Sequence, residues 1–155
     1  MASKVADTSL EGMRISEVVA GKASQDIVTI KPEASVRELV ALLARFNVGA
    51  AVVSSDGTSV SGIVSERDVV RQLDSNDQAL SASVADIMTT NVRTCEPSSS
   101  LDEVRRVMTE GRFRHLPVVE DGRLVGVVSI GDIVKNHIAE VEFERDQLDS
   151  YVHQT

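Results

Sequence analysis

Residues 62–68 read GIVSERD, and residues 126–132 read GVVSIGD. Both stretches follow one pattern: a glycine, two aliphatic residues, a serine, and an aspartate three positions after the serine. In each, an apolar strand runs into a serine that can cap the helix that follows. The recurrence of this phrase predicts that the chain contains two copies of one folding unit.

The sequence around these two stretches repeats as well. Four residues recur 65 positions later: Pro32 as Pro97, Ser35 as Ser100, Glu38 as Glu103 and Gly57 as Gly122. The serines and aspartates of the motif are 64 positions apart, so the first copy has one extra residue before its motif. Hairpin loops tolerate such insertions best. The segments ISEVV at 15–19 and VADIM at 84–88 also match, which indicates a duplicated lead-in.

Each copy predicts the same order of elements: strand, helix, strand, strand, helix. Apolar runs at 27–30 and 92–95 are typical of first strands, and Ser-x-x-Glu predicts a capping box at the start of each following helix. The Asp-Gly pairs at 56–57 and 121–122 predict hairpin turns. Apolar residues at helical spacing predict buried helix faces: Val36, Leu39, Val40, Leu43 and Phe46, and in the second copy Leu101, Val104, Val107 and Met108.

These elements predict an α/β fold (α+β by some schemes) of two β-α-β-β-α repeats. A copy of about 60 residues buries little surface alone, so the two should pack with pseudo-twofold symmetry and form two equivalent clefts between them. We predict four regions: a flexible N-terminal tail at 1–12, repeats at 13–80 and 81–138, and a helical extension at 139–155. Gly62 and Gly126 would allow a partner strand or a ligand to approach the third strands closely.

Composition excludes several classes of function. The formal net charge of -8 argues against a non-specific nucleic-acid or membrane-surface binder. The single Cys95 cannot form an intrachain disulfide, and no signal peptide or membrane-spanning run appears, which favours the cytoplasm. No Cys/His cluster has metal-ligand spacing and no nucleophile lies beside a base. We therefore expect that the protein is not an enzyme and that it has neither a catalytic residue nor a metal site.

The repeats resemble the cystathionine-β-synthase (CBS) domain in its tandem pair, a Bateman-type module. The resemblance is carried by VTIKP, VRELVALLARFNVGAAVV and GIVSERDVV, and again by VRTCEP, LDEVRRVMTEGRFRHLPVV and GRLVGVVSIGDIV. It covers about residues 15–138. It implies a regulatory fold that binds adenosine-containing ligands: AMP, ADP, ATP, NAD or S-adenosylmethionine. It also implies that the motif serine contacts phosphate and the motif aspartate contacts the ribose hydroxyls.

Physical chemistry is consistent with these roles. Ser65 and Ser129 lie where a helix begins, and a helix N-terminus attracts phosphate through its free amides and partial positive charge. Asp68 and Asp132, in the first helical turn, can accept two hydrogen bonds from a ribose diol. The alternative interpretation is an ordinary capping box that serves only the helix.

The two copies differ beside the motif, so we expect the two clefts to differ in affinity. Arg67 would serve a phosphate in one cleft and Arg114 in the other, because a guanidinium fork matches phosphate. A solvated residue and a surface salt bridge are the alternatives. His115 is either a nucleotide contact or a packed imidazole, while Gly49 and Ala50 leave room for a base ring.

Further candidates follow from the resemblance, which implies that the first strand and its loop frame the adenine. The candidate positions in and around the strands are Thr29, Ile30, Thr94, Leu116 and Pro117. Four apolar residues are candidates to sandwich the base: Ile30, Val48, Cys95 and Leu116. Core packing is the alternative for each of the four.

The C-terminal stretch continues the helical pattern. Five residues lie three or four positions apart, forming an a/d seam with one polar interruption: Ile138, Val141, Arg145, Leu148 and Val152. The seam covers about two heptads, so it either lies on its own domain or pairs with a second subunit. We favour a homodimer, to which the CBS resemblance also points.

The sequence thus predicts a stand-alone regulatory sensor that binds AMP, ADP, ATP or NAD between its repeats. It would act through conformational change or contact with an effector protein, without nucleic-acid or membrane partners. The alternative is a structural, dimerising protein with vestigial clefts.

Overall fold

The computed structural model describes residues 12–22 and 26–153, together with the backbone of residues 3–4. The helices are α1 (Ile15–Ala20), α2 (Val36–Phe46), α3 (Glu66–Ser75), α4 (Val84–Ile87), α5 (Leu101–Gly111) and α6 (Ile130–Val152). The strands are β1 (Ser3–Lys4), β2 (Thr29–Ile30), β3 (Ala50–Val53), β4 (Gly62–Ser65), β5 (Arg93–Thr94), β6 (His115–Glu120) and β7 (Arg123–Ser129). Two units with the predicted order of strands and helices confirm the predicted mixed fold class.

The two units build their sheets in the same way. In the first, β2 runs parallel to β3, and β3 pairs antiparallel with β4. In the second, β6 pairs antiparallel with β7, and Cys95, directly after β5, bridges Val118 of β6 in parallel. The first strands are shorter than the runs at 27–30 and 92–95 predict. In the first unit this is because the register with β3 covers only Val52 and Val53.

A further strand lies near the N-terminus. β1 pairs parallel with β5, so that Ser3 lies opposite Arg93 and Lys4 opposite Thr94. At these two residues the structure differs from the flexible tail predicted over 1–12, because the edge of β5 accepts a further strand. The rest of that tail before Gly12 lies outside the described residues.

The two hairpin loops differ in length. Asp121 and Gly122 join β6 to β7 with positive φ at both residues, 51° and 79°, as a two-residue turn of this kind requires. The longer segment 54–61 joins β3 to β4, and Gly57 within it has a φ of 84°. The predicted turn at Asp56 and Gly57 is thus part of a wider loop, because the Asp56 carboxylate accepts two backbone amides further along it.

Serines precede α2 and α5, where the sequence predicts capping boxes. Ser35 and Glu38 form a complete capping box at α2, with both reciprocal hydrogen bonds present. At α5 the Ser100 hydroxyl accepts the Glu103 amide at 3.1 Å, but the described contacts include no return bond, so the predicted box is half formed. Each cap stabilises its helix by about 1 kcal/mol.

Each unit has its own apolar core, and each core contains a lead-in helix from the other unit. Ile15 and Val18 of α1 are 0% and 1% exposed and pack in the second core with Leu101. Val84 and Ile87 of α4 pack in the first core. Burial of each such aliphatic side chain contributes about 1.5–3 kcal/mol. The two repeats therefore exchange their leading helices and are interlocked.

The exchange follows the predicted pseudo-twofold relation. The Ile15 amide donates to the Ser99 carbonyl at 2.9 Å, and the Val84 amide donates to the equivalent Ala34 carbonyl at 2.8 Å. The motif glycine Gly62 lies against the segment after α4. A Cβ there would be 2.8 Å from the Met88 sulfur, so this glycine makes room for a chain segment.

Helix α6 continues without a break from the second motif through the C-terminal extension, so residue 138 marks no structural boundary. The Met13 amide donates to the Glu140 carboxylate at 2.9 Å, which ties the middle of the helix to the lead-in segment. All residues from 141 to 153 are exposed. The last three turns of α6 therefore form an uncovered surface.

Candidate functional site

A cleft of about 570 Å³ lies where the N-terminal end of α3 meets the segment between α5 and β6. We call it the α3 cleft. The first unit contributes Gly49, Ala50, Ile63, Ser65, Glu66, Arg67, Asp68, Val70 and Arg71, and the rest of the lining is Thr89, Gly111, Arg112, Phe113, Arg114 and His115. Its volume falls within the usual range for small-molecule sites. Residues of both units thus meet around one cavity.

The motif Ser65 to Asp68 lies on the wall of the α3 cleft. The Asp68 Oδ2 atom accepts the Ser65 amide at 2.8 Å and the Ser65 hydroxyl at 3.0 Å, and the Asp68 amide donates to the Ser65 Oγ at 3.3 Å. This is a complete capping box, as the alternative interpretation predicts. The described residues give Asp68 Oδ1 no hydrogen-bond donor. The cap therefore leaves one carboxylate oxygen for a further donor.

Two predicted phosphate ligands lie around the same cavity. Arg67 belongs to the first turn of α3, whereas Arg114 immediately precedes β6, and both line the α3 cleft. The sequence assigned them to separate clefts, whereas both side chains line this one, because the segment before β6 packs against the start of α3. The arrangement concentrates positive charge at one helix N-terminus.

The wall of the α3 cleft brings together three residues from the two units: Gly49, Glu66 and His115. A Cβ on Gly49 would lie 3.4 Å from Glu66 Oε1 and 3.6 Å from His115 Cε1. Burial, followed by the charges of Arg114 and Lys22, holds the pKa of His115 below its usual 6.5, against the opposing effect of Asp132 and Glu66. This shift favours the uncharged form of the imidazole at neutral pH.

The aspartate of the second motif pairs with Lys22, a residue that the sequence interpretation missed. The Asp132 Oδ2 atom accepts the Ser129 amide at 2.9 Å, and Lys22 Nζ lies 2.9 Å from the same oxygen. Lys22 also donates to the Val127 carbonyl at 2.9 Å. Burial raises the pKa of Asp132, but the Ser129 amide and Lys22 outweigh it, and the pKa is lowered from 3.8. No described lysine or arginine pairs with Asp68, so the two motifs differ electrostatically.

Two segments of the chain, residues 15–75 and 84–138, match the family of the CBS domain. The chain belongs to the CBS domain family. The mitochondrial CBS domain-containing protein CBSX3 of Arabidopsis thaliana is 30% identical over 158 residues, covering 97% of this chain and 77% of that protein. The family and the tandem arrangement that the sequence resembles are thereby confirmed.

Solved CBS structures share the fold. A CBS-domain containing protein from Agrobacterium tumefaciens is 40% identical with a TM-score of 0.75, covering 81% of this chain and 99% of that one. A CBS domain protein from Pyrobaculum aerophilum, complexed with AMP, is 29% identical with a TM-score of 0.69, covering 77% and 89%. At least one similar CBS protein therefore holds an adenosine ligand.

Several predicted site residues lie in the cores of the CBS repeats. Ile30, Cys95 and Leu116 are at most 9% exposed and belong to the apolar clusters, so core packing accounts for them. Burial, with a smaller effect of Glu96, raises the pKa of the Cys95 thiol to about 12, which keeps it protonated. Core packing competes with base contact at these positions because the strands fill the space between the helices.

The remaining strand candidates also lie off the α3 cleft. Thr29 pairs with Val52, Thr94 is 4% exposed, and the buried Pro117 accepts the Cys95 amide through its carbonyl. Val48 is 37% exposed but is not part of the lining. Thr29, Thr94 and Pro117 thus belong to the sheets rather than to the cavity wall.

The sequence interpretation missed several residues that contribute charge or apolar surface to the cleft. Arg71 lies four positions after Arg67 on α3, so helical spacing alone would have placed both on one face. Arg112 and Phe113 directly precede Arg114, but only the tertiary packing of the second repeat brings them to α3. Ile63 and Val70 supply further apolar wall.

Neither a metal site nor a membrane span emerges from the described chain. Within residues 12–22 and 26–153, no three His, Cys, Asp or Glu side chains are grouped closely enough to hold a metal ion. None of the helices in the described part is both long and apolar enough to cross a membrane.

Proposed function

We propose that this CBS protein is a regulatory module that binds an adenosine-containing nucleotide in the α3 cleft. The observation that carries the proposal is the composition of the cleft: Ser65 and Asp68 come from the first repeat, Arg114 and His115 from the second. A ligand that contacts both would change the free energy of their mutual packing. Binding in the cleft is thereby coupled to the arrangement of the repeats.

The chemistry of the walls orients such a ligand. The amides at the start of α3, with Ser65 and Arg67, suit a phosphate group. Asp68 Oδ1 suits a ribose hydroxyl, since the cap occupies only Oδ2. The apolar surface of Ile63 and Val70 suits a purine ring. The AMP complex of the Pyrobaculum relative supports this ligand class, though AMP, ADP, ATP and NAD are all candidates.

The second motif forms a weaker site in this proposal. Ser129 and Asp132 match the first motif in their capping geometry, but Lys22 neutralises the carboxylate that would read a ribose. The hydroxyls of a ligand would compete with the Lys22 ammonium group for the Asp132 carboxylate. We propose that the α3 cleft fills first.

We also propose that the protein acts as a homodimer and transmits its state to an effector protein. On the exposed end of α6, the apolar seam side chains Ile138, Val141, Leu148 and Val152 are between 49% and 66% exposed. A second copy of the same seam would cover them, since a/d patterns pair with themselves. The cytoplasmic location of the protein stays a prediction from its sequence.

A structural role with unused clefts is the second candidate. It is favoured by one observation: the capping boxes at α3 and α6 are complete without a ligand. The motif residues therefore have a folding role whether or not a nucleotide binds.

Calorimetric titration of the full chain with AMP, ADP, ATP and NAD distinguishes these functions. The proposal predicts saturable binding of at least one nucleotide at micromolar concentration. The absorbance ratio at 260 and 280 nm of freshly purified protein is a sensitive companion measurement, because the chain has one Tyr and no Trp. The structural alternative predicts a nucleotide-free preparation and no heat of binding with any of the four.

A further inference from the structure

The α3 cleft is cationic, although the chain as a whole is acidic. Four guanidinium groups line it, those of Arg67, Arg71, Arg112 and Arg114, against the two carboxylates of the capping turn. The full chain carries a formal charge of -8. A local excess of positive charge on an acidic protein concentrates anions at that place.

These four arginines are not neutralised by neighbouring acids. The described ion pairs of arginine are Arg105 and Arg106 with Asp102, and Arg145 with Asp146. None of the four cleft arginines forms such a pair within the described residues. Their charges are therefore available to a ligand, and their mutual repulsion is relieved when an anion binds.

The arginines reach the cleft from two sides. Arg67 and Arg71 are one helical turn apart on α3, so they extend along the wall away from the helix N-terminus. Arg112 and Arg114 lie opposite, on the segment between α5 and β6 of the second repeat. An anion with several phosphate groups can contact both pairs at once.

Arg112 adopts a backbone conformation that does not suit arginine. Its φ is 56°, and Asn47, at the equivalent end of α2, has a φ of 52°. The fold thus requires a left-handed residue at both helix ends, where Gly or Asn is the usual choice. Backbone preference explains Asn47 but not Arg112. Strained residues of this kind are found where a side chain is needed at a functional site.

We infer that the α3 cleft binds a nucleoside di- or triphosphate in preference to the monophosphate; the inference rests on the proposed nucleotide function. One phosphate is satisfied by the amides of α3 with one arginine. Arg71 and Arg112, with whichever of Arg67 and Arg114 is still free, then remain for the β- and γ-phosphates, to which guanidinium groups can bind bidentately. A neutral or cationic nucleoside would leave the excess of four guanidinium groups over two carboxylates uncompensated.

Titration calorimetry of the full chain with AMP, ADP and ATP in magnesium-free buffer tests this order. The expected result is that ATP binds about tenfold or more tightly than AMP. Added salt should lower the affinity for ATP more than the affinity for AMP. AMP binding as tightly as ATP overturns the inference and leaves the nucleotide function intact. Absence of binding by all three overturns the inference, and absence of NAD binding as well overturns the proposed function.

Variants then test which residues set the preference. Arg112→Asn installs the residue that the first repeat uses at the same φ, so it removes the charge without adding backbone strain. Arg71→Ala removes the other distal charge, and Arg37→Ala, an exposed arginine on α2 outside the cleft, is the matched control. We expect both cleft variants to lose most of the ATP preference while AMP affinity and the control are unchanged. Equal losses of affinity for AMP and ATP, or no loss of affinity, overturn the assignment of Arg71 and Arg112 to the distal phosphates.

Discussion

At the scale of single residues, the motif combines a structural and a binding role in one side chain. Asp68 caps α3 through Oδ2, which receives both the amide and the hydroxyl of Ser65, and keeps Oδ1 for a ligand. Asp132 has the same cap but also a lysine partner. The two motifs are therefore alike in folding and unlike in charge.

Asp68→Asn should weaken nucleotide binding about tenfold or more, because it removes the charge that strengthens a carboxylate–hydroxyl bond. Asp86→Asn is the matched control, since Asp86 caps α4 in the same way and lies outside the cleft. Calorimetry of both variants, with thermal melts to verify folding, measures the effect. Equal affinities for the two variants would remove Asp68 from the site.

The lowered pKa of His115 predicts a pH dependence of stability. The unfolded chain takes up a proton near pH 6.5, whereas folded His115 does so only at lower pH, so stability falls as the pH decreases through this window. Asp132 contributes only below about pH 4, since its pKa is lowered from 3.8. Urea unfolding at about pH 7.5 and about pH 5.5 measures this change. Between these two pH values, His115→Gln should lose less unfolding free energy than wild type. An identical loss in the variant contradicts the assignment.

Residue types at the motif could be predicted from sequence, but their partners could not. The recurrence of Ser and Asp in one context identified the cap and the candidate ligand groups. Lys22 meets Asp132 across 110 positions of chain, and no local pattern indicates such a contact. Ile30, Cys95 and Leu116 were plausible base contacts only because burial cannot be distinguished from ligand packing in a sequence.

At the scale of elements, helical and hairpin patterns were predicted well where local chemistry decides them. Ser35 and Glu38 cap α2 as their spacing predicts, and the turn at 121–122 has the expected positive φ angles. The loop at 54–61 is longer than predicted because side-chain hydrogen bonds to Asp56 compete with a tight turn. The length of α6 follows from its uninterrupted helical spacing.

Leu148→Asp should shift the protein from dimer to monomer, because a charge in an a/d seam opposes burial of the partner seam. Gln147→Asp is the control: it adds the same charge to an exposed neighbouring face of α6. Sedimentation velocity over a range of protein concentrations measures the change. A monomeric wild type, or equal effects of the two substitutions, contradicts pairing through α6.

At the scale of the whole molecule, the repeats are joined by the exchange of α1 and α4. The sequence indicated matching lead-in segments at 15–19 and 84–88, but not that each packs in the other repeat's core. Which core a lead-in helix packs in depends on contacts between segments far apart in the chain, and such contacts leave no local sequence pattern.

Ile15→Ala should cost about 2–5 kcal/mol of unfolding free energy, since Ile15 is fully buried. The loss should reduce hydrogen-exchange protection in α5 and β6 of the second repeat more than in α2 of the first, because the cavity opens in the second core. Ser16→Ala, on the exposed side of α1, is the control. Greater loss of protection in α2 would show that α1 stabilises its own repeat instead.

An amide NMR titration of the full chain with ATP tests directly whether one nucleotide contacts both CBS repeats in the α3 cleft. We predict that the backbone resonances of residues 65–68 and of residues 112–115 shift together along one saturation curve. Shifts confined to a single repeat, or saturation without changes at either segment, would contradict the account.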